Sequence, residues 1–213
     1  MYGMKVELPY DHPFDYQLAM DRLAGYRAPR NKLRNLCLSG DVVRVRKGLY
    51  VAATHPRHPP GIDPLALAPL IYGPSYVSLE SALSWHGLIP ERVDEVTSIT
   101  CKRGKLYRTP LGRFSYSPIN ESAYSYGVGL HATDGGSFFL AQPEKALCDR
   151  IARVRPVRAQ RDIPELLEDD LRVDLEAVVR MRVPVVREVA RRYRRQSVNA
   201  FLRWLGRHAE ASR

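Results

Sequence analysis

Six side chains in the middle of the chain could, by type, build a hydrolytic or metal site: His86, His131, Glu80, Asp134, Glu144 and Asp149. A metal-dependent nuclease of the restriction type needs an acid, a spacer and then Glu-x-Lys, so that oxygens hold the metal and water is oriented for attack. Here Glu144 and Lys145 are adjacent, which sends them to different faces of a helix, so that motif is absent. HExxH, the P-loop lysine motif and GxSxG are absent as well. Gly127 and Gly129 bracket a strand instead of opening a helix, so no phosphate-cradling loop is written there. His86 is expected to cap or pack a helix end, and Glu144 to sit at a helix start, where the macrodipole favours an anion. These residues call for no catalytic role, metal ligand or cofactor, and the chain is expected not to be an enzyme. A metal-dependent nuclease stays as the enzymatic alternative.

A second constellation is cationic. Arg27, Arg30, Lys32, Arg34 and Asn35 fall on or just before one expected helix, and Arg44, Arg46 and Lys47 on the hairpin after it, with only Asp41 opposing them in sign. An α-helix fits the major groove by diameter and reads it through donors on its polar face. Leu33, Leu36 and Cys37 form the apolar stripe of that helix and leave its polar side chains facing away. Arg27 stands at the helix start, where backbone amides also favour phosphate. The two-residue period of a strand places Arg44 and Arg46 on one face, with Val43 and Val45 turned into a small core. These eight residues are the candidate contact with double-stranded DNA; a solvated basic face is the plain alternative.

A third concentration lies near the C-terminus, where residues 180–207 hold nine arginines and one acid, Glu188. Arg187, Arg191 and Arg194 recur at helical spacing as one stripe, with Val185, Val189 and Tyr193 turned to the core. Nucleic-acid phosphate or an acidic protein surface could meet that stripe, and a solvated face would look the same.

The elements that must position these groups follow from period and punctuation. Helices are expected at Phe14–Tyr26 and at Pro29–Ser39, the second opened by proline and closed by Gly40, then a hairpin over Asp41–Ala52 turning at Lys47-Gly48. Residues 54–62, THPRHPPGI, form a linker. A helix capped by Asp63 runs to about Tyr72, Tyr76-Val77 is extended, and Ser78 caps a helix to about His86. The stretch from Glu95 to Pro118 is β, a hairpin turns at Thr133–Gly136, and a helix opens at Gln142-Pro143. After Pro164 the chain is helical, over about 164–170, 174–181, 184–195 and 197–208. The fold class is therefore α+β: an N-terminal winged helix-turn-helix in residues 1–53, then a mixed α/β domain in 63–213 whose part from about 160 is helical. A usual winged helix has one more helix at its start, and MYGMKVELPYDHP forms helix poorly, so that module is abridged or begins as extended chain.

Composition sets the class. The chain has 213 residues, 45% hydrophobic and 26% charged, as in folded rather than disordered protein. No apolar window reaches the roughly 18 residues of a membrane span, and the N-terminus lacks a signal-peptide pattern, so a cytoplasmic protein without membrane contact is expected. Cys37, Cys101 and Cys148 are too far apart for metal spacing and fit buried, reduced thiols. The net charge of +10 is uneven: residues 1–60 carry +5, 61–150 carry −1 and 151–213 carry +6. Two basic ends favour a polyanionic partner, although charge alone does not separate nucleic-acid binding from solubility.

Three blocks, YVSLESALSWHGLIPERV (76–93), KLYRTPLGRFSYSPI (105–119) and LAQPEKALCDRI (140–151), occur in order after RVRKGLYV (44–51). In this the chain resembles the AbiEi family of antitoxins, over about residues 27–155 and more loosely beyond. The resemblance implies a type IV toxin–antitoxin system: a transcriptional regulator that binds operator DNA, represses its own operon, and counteracts a nucleotidyltransferase-fold toxin without stable toxin binding being the rule. It carries DNA contact to Arg30, Lys32, Arg34, Arg44, Arg46 and Lys47, and the counteracting role to the C-terminal region. The expected state is a monomer in solution that meets an inverted repeat as two copies. The alternative from another class is an interaction module that restrains a partner enzyme directly through the arginine stripe.

Overall fold

The computed structural model describes residues 8–9, 12–53, 61–154, 157 and 159–211. The expected linker falls mostly on 54–60, and the N-terminal lead mostly on 1–7 and 10–11, outside the described residues. The architecture is α+β, as the alternation of periods implied.

Residues 14–52 form β1 (Phe14–Asp15), α1 (Tyr16–Arg22), α2 (Pro29–Ser39), β2 (Val42–Arg46) and β3 (Leu49–Ala52). α2 keeps its expected bounds: Pro29 needs no amide partner in the first turn, and Gly40 takes the left-handed φ of 82° that closes the helix. α1 is shorter than expected at both ends. Asp15, not a residue before Phe14, is its N-cap, accepting from the Leu18 amide at 2.8 Å. That frees Phe14 to pair with Tyr50 as a third strand, its ring stacked 5.9 Å from the tyrosine's. The small sheet has the order β1-β3-β2, antiparallel throughout.

This small sheet is a middle layer. Tyr50, Ala52, Val42 and Phe14 pack with Leu23 and Leu33 under α1 and α2. Leu49, Val51 and Val45 pack the other way, against Leu67, Ile71, Phe114 and Tyr116 of the larger body. All four residues of β3 are buried for this reason. Of the two valines expected in a small core, Val45 is buried, on the body side, and Val43 is only half-buried. Past these valines β2 carries a bulge, where Arg44 pairs with Tyr50 but Arg46 pairs with Leu49. One extra residue reverses the alternation of the strand from that point on.

The body is built on α3 (Pro64–Ile71), β4 (Ser75–Val77), α4 (Leu79–Trp85), β5 (Glu95–Thr100), β6 (Lys105–Thr109), β7 (Gly112–Pro118), α5 (Glu121–Tyr124), β8 (Val128–Thr133), β9 (Gly136–Ala141) and α6 (Pro143–Ile151). Its sheet has the order β6-β7-β5-β4-β9-β8. β6 and β7 form an antiparallel hairpin, and β7 folds back parallel to β5; β4 and β9 are the other parallel neighbours. The β8–β9 turn seats on the start of α3, where a Cβ on Gly135 would lie 2.3 Å from the Asp63 amide, so only glycine fits.

The C-terminal part contains a 3-10 turn (Gln160–Asp162), α7 (Ile163–Glu165) widening into a π turn (Leu166–Asp170), α8 (Leu175–Val179), α9 (Val183–Tyr193) and α10 (Gln196–Ala211). Val186, Val189 and Ala190 of α9 and Phe201 and Leu205 of α10 close over α6 and the sheet in one large core. The stripe expected to face inward is shifted, since Val185 is half-buried while Val186 is fully buried. No described helix is long and apolar enough to cross a membrane.

Candidate nucleic-acid interface

The α2 surface follows from its buried side. With Leu33 buried and Leu36 and Cys37 half-buried, Arg30, Asn31, Arg34, Asn35 and Leu38 share the opposite, exposed face. Arg27 is exposed in the turn just before the helix. Lys32 lies on the flank, half-buried, with its ammonium 5.1 Å from the centre of the Tyr26 ring. Arg44 sits on the Tyr50 side of the small sheet, which is the side α2 covers, and its charge offsets part of the rise that burial gives the Cys37 thiol. Lys47 is exposed at the hairpin turn. Asp41 is engaged by the Ser39 hydroxyl at 2.6 Å. Among the described residues no ion pair engages Arg27, Arg30, Lys32, Arg34, Arg44 or Lys47.

Arg46 does not belong to this surface. Its guanidinium donates to the Leu70 carbonyl of α3 at 3.0 Å and approaches Tyr116. The expectation that Arg44 and Arg46 share a face is corrected by the bulge, which turns Arg46 with Leu49 toward the body. Conversely, Asn31 and Leu38 were not singled out from sequence, yet they occupy the open face. Leu38 is 75% exposed, and an apolar side chain among donors is what contact with a thymine methyl requires.

The C-terminal stripe is not one surface. Arg191 is held by Glu188 at 2.7 Å. Arg192 contacts the same carboxylate and covers the Tyr126 ring. Arg194, in a left-handed cap, lines a recess with Arg153 and Arg195, whereas Arg187 lines a different groove beside α10.

The side chains weighed for chemistry are dispersed into structural roles. His86 Nε2 meets the Ala141 carbonyl at 2.8 Å, Glu80 pairs with Arg150 at 2.7 Å, and the His131 ring stacks on Phe138. Among the described residues no three His, Cys, Asp or Glu side chains converge as metal ligands would. Cys148 is buried, while Cys37 and Cys101 are only half-buried.

Glu144 does more than sit at a helix start. It accepts from the Arg182 side chain at 2.8 Å and from the Arg182 amide at 3.1 Å. Burial would raise its carboxyl, but these bonds and the guanidinium charge outweigh burial and hold it below its ordinary value of 4.5. Arg182→Ala is expected to cost about 1.5–3 kcal/mol, because the carboxylate stays buried with fewer donors. A lowered carboxyl stabilises the fold above its ordinary value and ceases to do so as pH falls through the lowered one. Urea unfolding at pH 7 and pH 3 checks this: the gap between the two proteins should be full at pH 7 and narrow at pH 3.

Lys145 and Asp149, one helical turn apart on α6, are fully buried and 2.9 Å apart. Asp149 also accepts from Ser78 at 2.6 Å, from Tyr76 at 2.9 Å, and from Tyr193. Lys145 donates to the Ala123 carbonyl at 2.8 Å and to Tyr193 at 3.1 Å. The expected N-cap Ser78 thus gives its hydroxyl to Asp149 instead of capping α4. Burial, then the Asp149 charge, pushes the Tyr76 and Tyr193 phenols well up. This cluster ties β4, α5, α6 and α9 together around the fully buried Lys145 and Asp149. The sequence KALCD spaces the pair at i, i+4, which an exposed helix face would show equally. Compared with known proteins, the chain matches no family model and no curated protein.

Proposed function

We propose that the chain is a DNA-binding regulator whose α1, α2 and β2–β3 act as an abridged winged helix-turn-helix, with α2 as the recognition helix. The observation that carries this reading is the exposed α2 face: Arg30, Arg34, Asn31 and Asn35 together, with Arg27, Arg44 and Lys47 exposed in the segments before and after the helix, and no carboxylate paired to any of these cations among the described residues. Some arginines elsewhere are tied to acids, as in the pairs Arg150–Glu80, Arg172–Glu91 and Arg182–Glu144, while others such as Arg187 and Arg207 have no such pair among the described residues, so the grouping with asparagines on one helix face sets α2 apart. Cations left without internal partners retain their full charge for phosphates, and asparagines among them can bond base edges.

In this reading the regulator is an AbiEi-type antitoxin that represses its own operon and counteracts a nucleotidyltransferase-fold toxin. The order of its sequence blocks and the basic α2 face support it. The protein titrated against the DNA upstream of its own gene is expected to bind with a log–log salt slope of roughly −4 to −5, for about five neutralised phosphates. A slope near zero, or equal affinity for unrelated DNA, would remove the operator reading. Loss of toxin neutralisation on deleting the chain's gene beside its neighbour tests the antitoxin part separately.

A further inference from the structure

α9, α10 and the turn joining α8 to α9 enclose a groove of about 990 Å³. Its floor is aliphatic, with half-buried Val183, Val185 and Leu202, and five arginines, Arg180, Arg182, Arg187, Arg203 and Arg207, line it. No acid lines it among the described residues. Arg180 and Arg182 are anchored by Glu176 and Glu144, whereas Arg187 and Arg207 have no ion pair among the described residues.

Gly206 adds an independent observation. It lies inside α10 and lines the groove, and a Cβ added there would meet nothing within 4 Å. Glycine weakens a helix interior relative to alanine, and here no neighbour among the described residues requires its small size. The missing side chain leaves a notch where another backbone can approach closely.

We infer that this groove docks an amphipathic helix of a partner protein, one with an apolar stripe flanked by Asp and Glu. Aliphatic floor, cationic rim and a notch for close backbone approach are the complement of such a helix. A single nucleic-acid strand fits less well, because it is gripped through stacking on aromatic rings, and none lines this groove. The inference does not depend on DNA reading by α2.

The test uses the whole protein and a synthetic helical peptide about 18 residues long, with leucines at i, i+3, i+4 and i+7 between glutamates. Fluorescence anisotropy is expected to give a Kd on the order of 10 µM. Arg187→Glu combined with Arg207→Glu should weaken it at least about tenfold, and Gly206→Trp, which fills the notch, should do the same while near-UV circular dichroism stays that of a folded chain. Four outcomes overturn the proposal: no binding, equal binding by a lysine-for-glutamate peptide, indifference to Gly206→Trp, or preference for a single-stranded RNA of matched length. Sedimentation supplies a fifth: self-association abolished by Gly206→Trp would make a second copy the occupant.

Discussion

Asp149→Ala is expected to destabilise the protein by about 3–5 kcal/mol, a large share of what holds a domain of this size together. The substitution leaves the Lys145 ammonium buried without its counter-charge, and it strips an acceptor from Ser78, Tyr76 and Tyr193 at once. Desolvated charge is what makes the loss large; an exposed ion pair of the same geometry would contribute at most about 1 kcal/mol. Lys145→Met should cost less, since Asp149 keeps three hydroxyl donors. The double variant Lys145→Met, Asp149→Ala should cost clearly less than the two single losses added together, because each single change leaves one charge stranded. Urea unfolding of the three variants measures this. Strict additivity, or an Asp149→Ala loss below about 1 kcal/mol, would mean that the cluster is not a coupled unit.

Arg30→Ala together with Arg34→Ala is the second large effect. Removing two phosphate or base contacts of about 1.5 kcal/mol each lowers affinity for the upstream DNA about 100-fold at fixed salt. If both residues meet phosphates, the salt slope should become shallower by about 2; if one reads a base, the slope changes less and discrimination among sequences falls. Both side chains are exposed on α2 and support no internal bond among the described residues, so thermal stability should stay within about 0.5 kcal/mol of the parent. Arg46→Ala serves as the contrast. Its guanidinium is bonded to the Leu70 carbonyl, so stability should fall by about 1 kcal/mol while the salt slope holds. A steep loss of DNA affinity from Arg46→Ala and none from the α2 pair would reverse the assignment of the surface.

Much of this was legible in the sequence where local chemistry decides. Pro29 and Gly40 bound α2 because one tolerates the first turn and the other the left-handed cap. Thr133-Asp134-Gly135-Gly136 turned the β8–β9 hairpin for similar local reasons. What was hidden depends on distant partners. The segment Val42–Arg46 alternates regularly on paper, and only pairing with β3 reveals the bulge that sends Arg46 away from Arg44. Lys145 and Asp149 look like an ordinary surface pair until Tyr76, Ser78 and Tyr193 arrive from elsewhere in the chain to bury them. The arginine stripe failed as a unit because its last member caps α9 instead of extending it, and its middle member is claimed by Glu188.

β3 gives Tyr50 and Ala52 to the helices on one side and Leu49 and Val51 to the body on the other. A ribbon shared in this way cannot be lifted out as a cassette: grafting residues 12–53 onto another scaffold would bare one greasy surface on the transplant and a matching one on the remnant. Any rotation of the helices against the body must likewise repack one face of that ribbon.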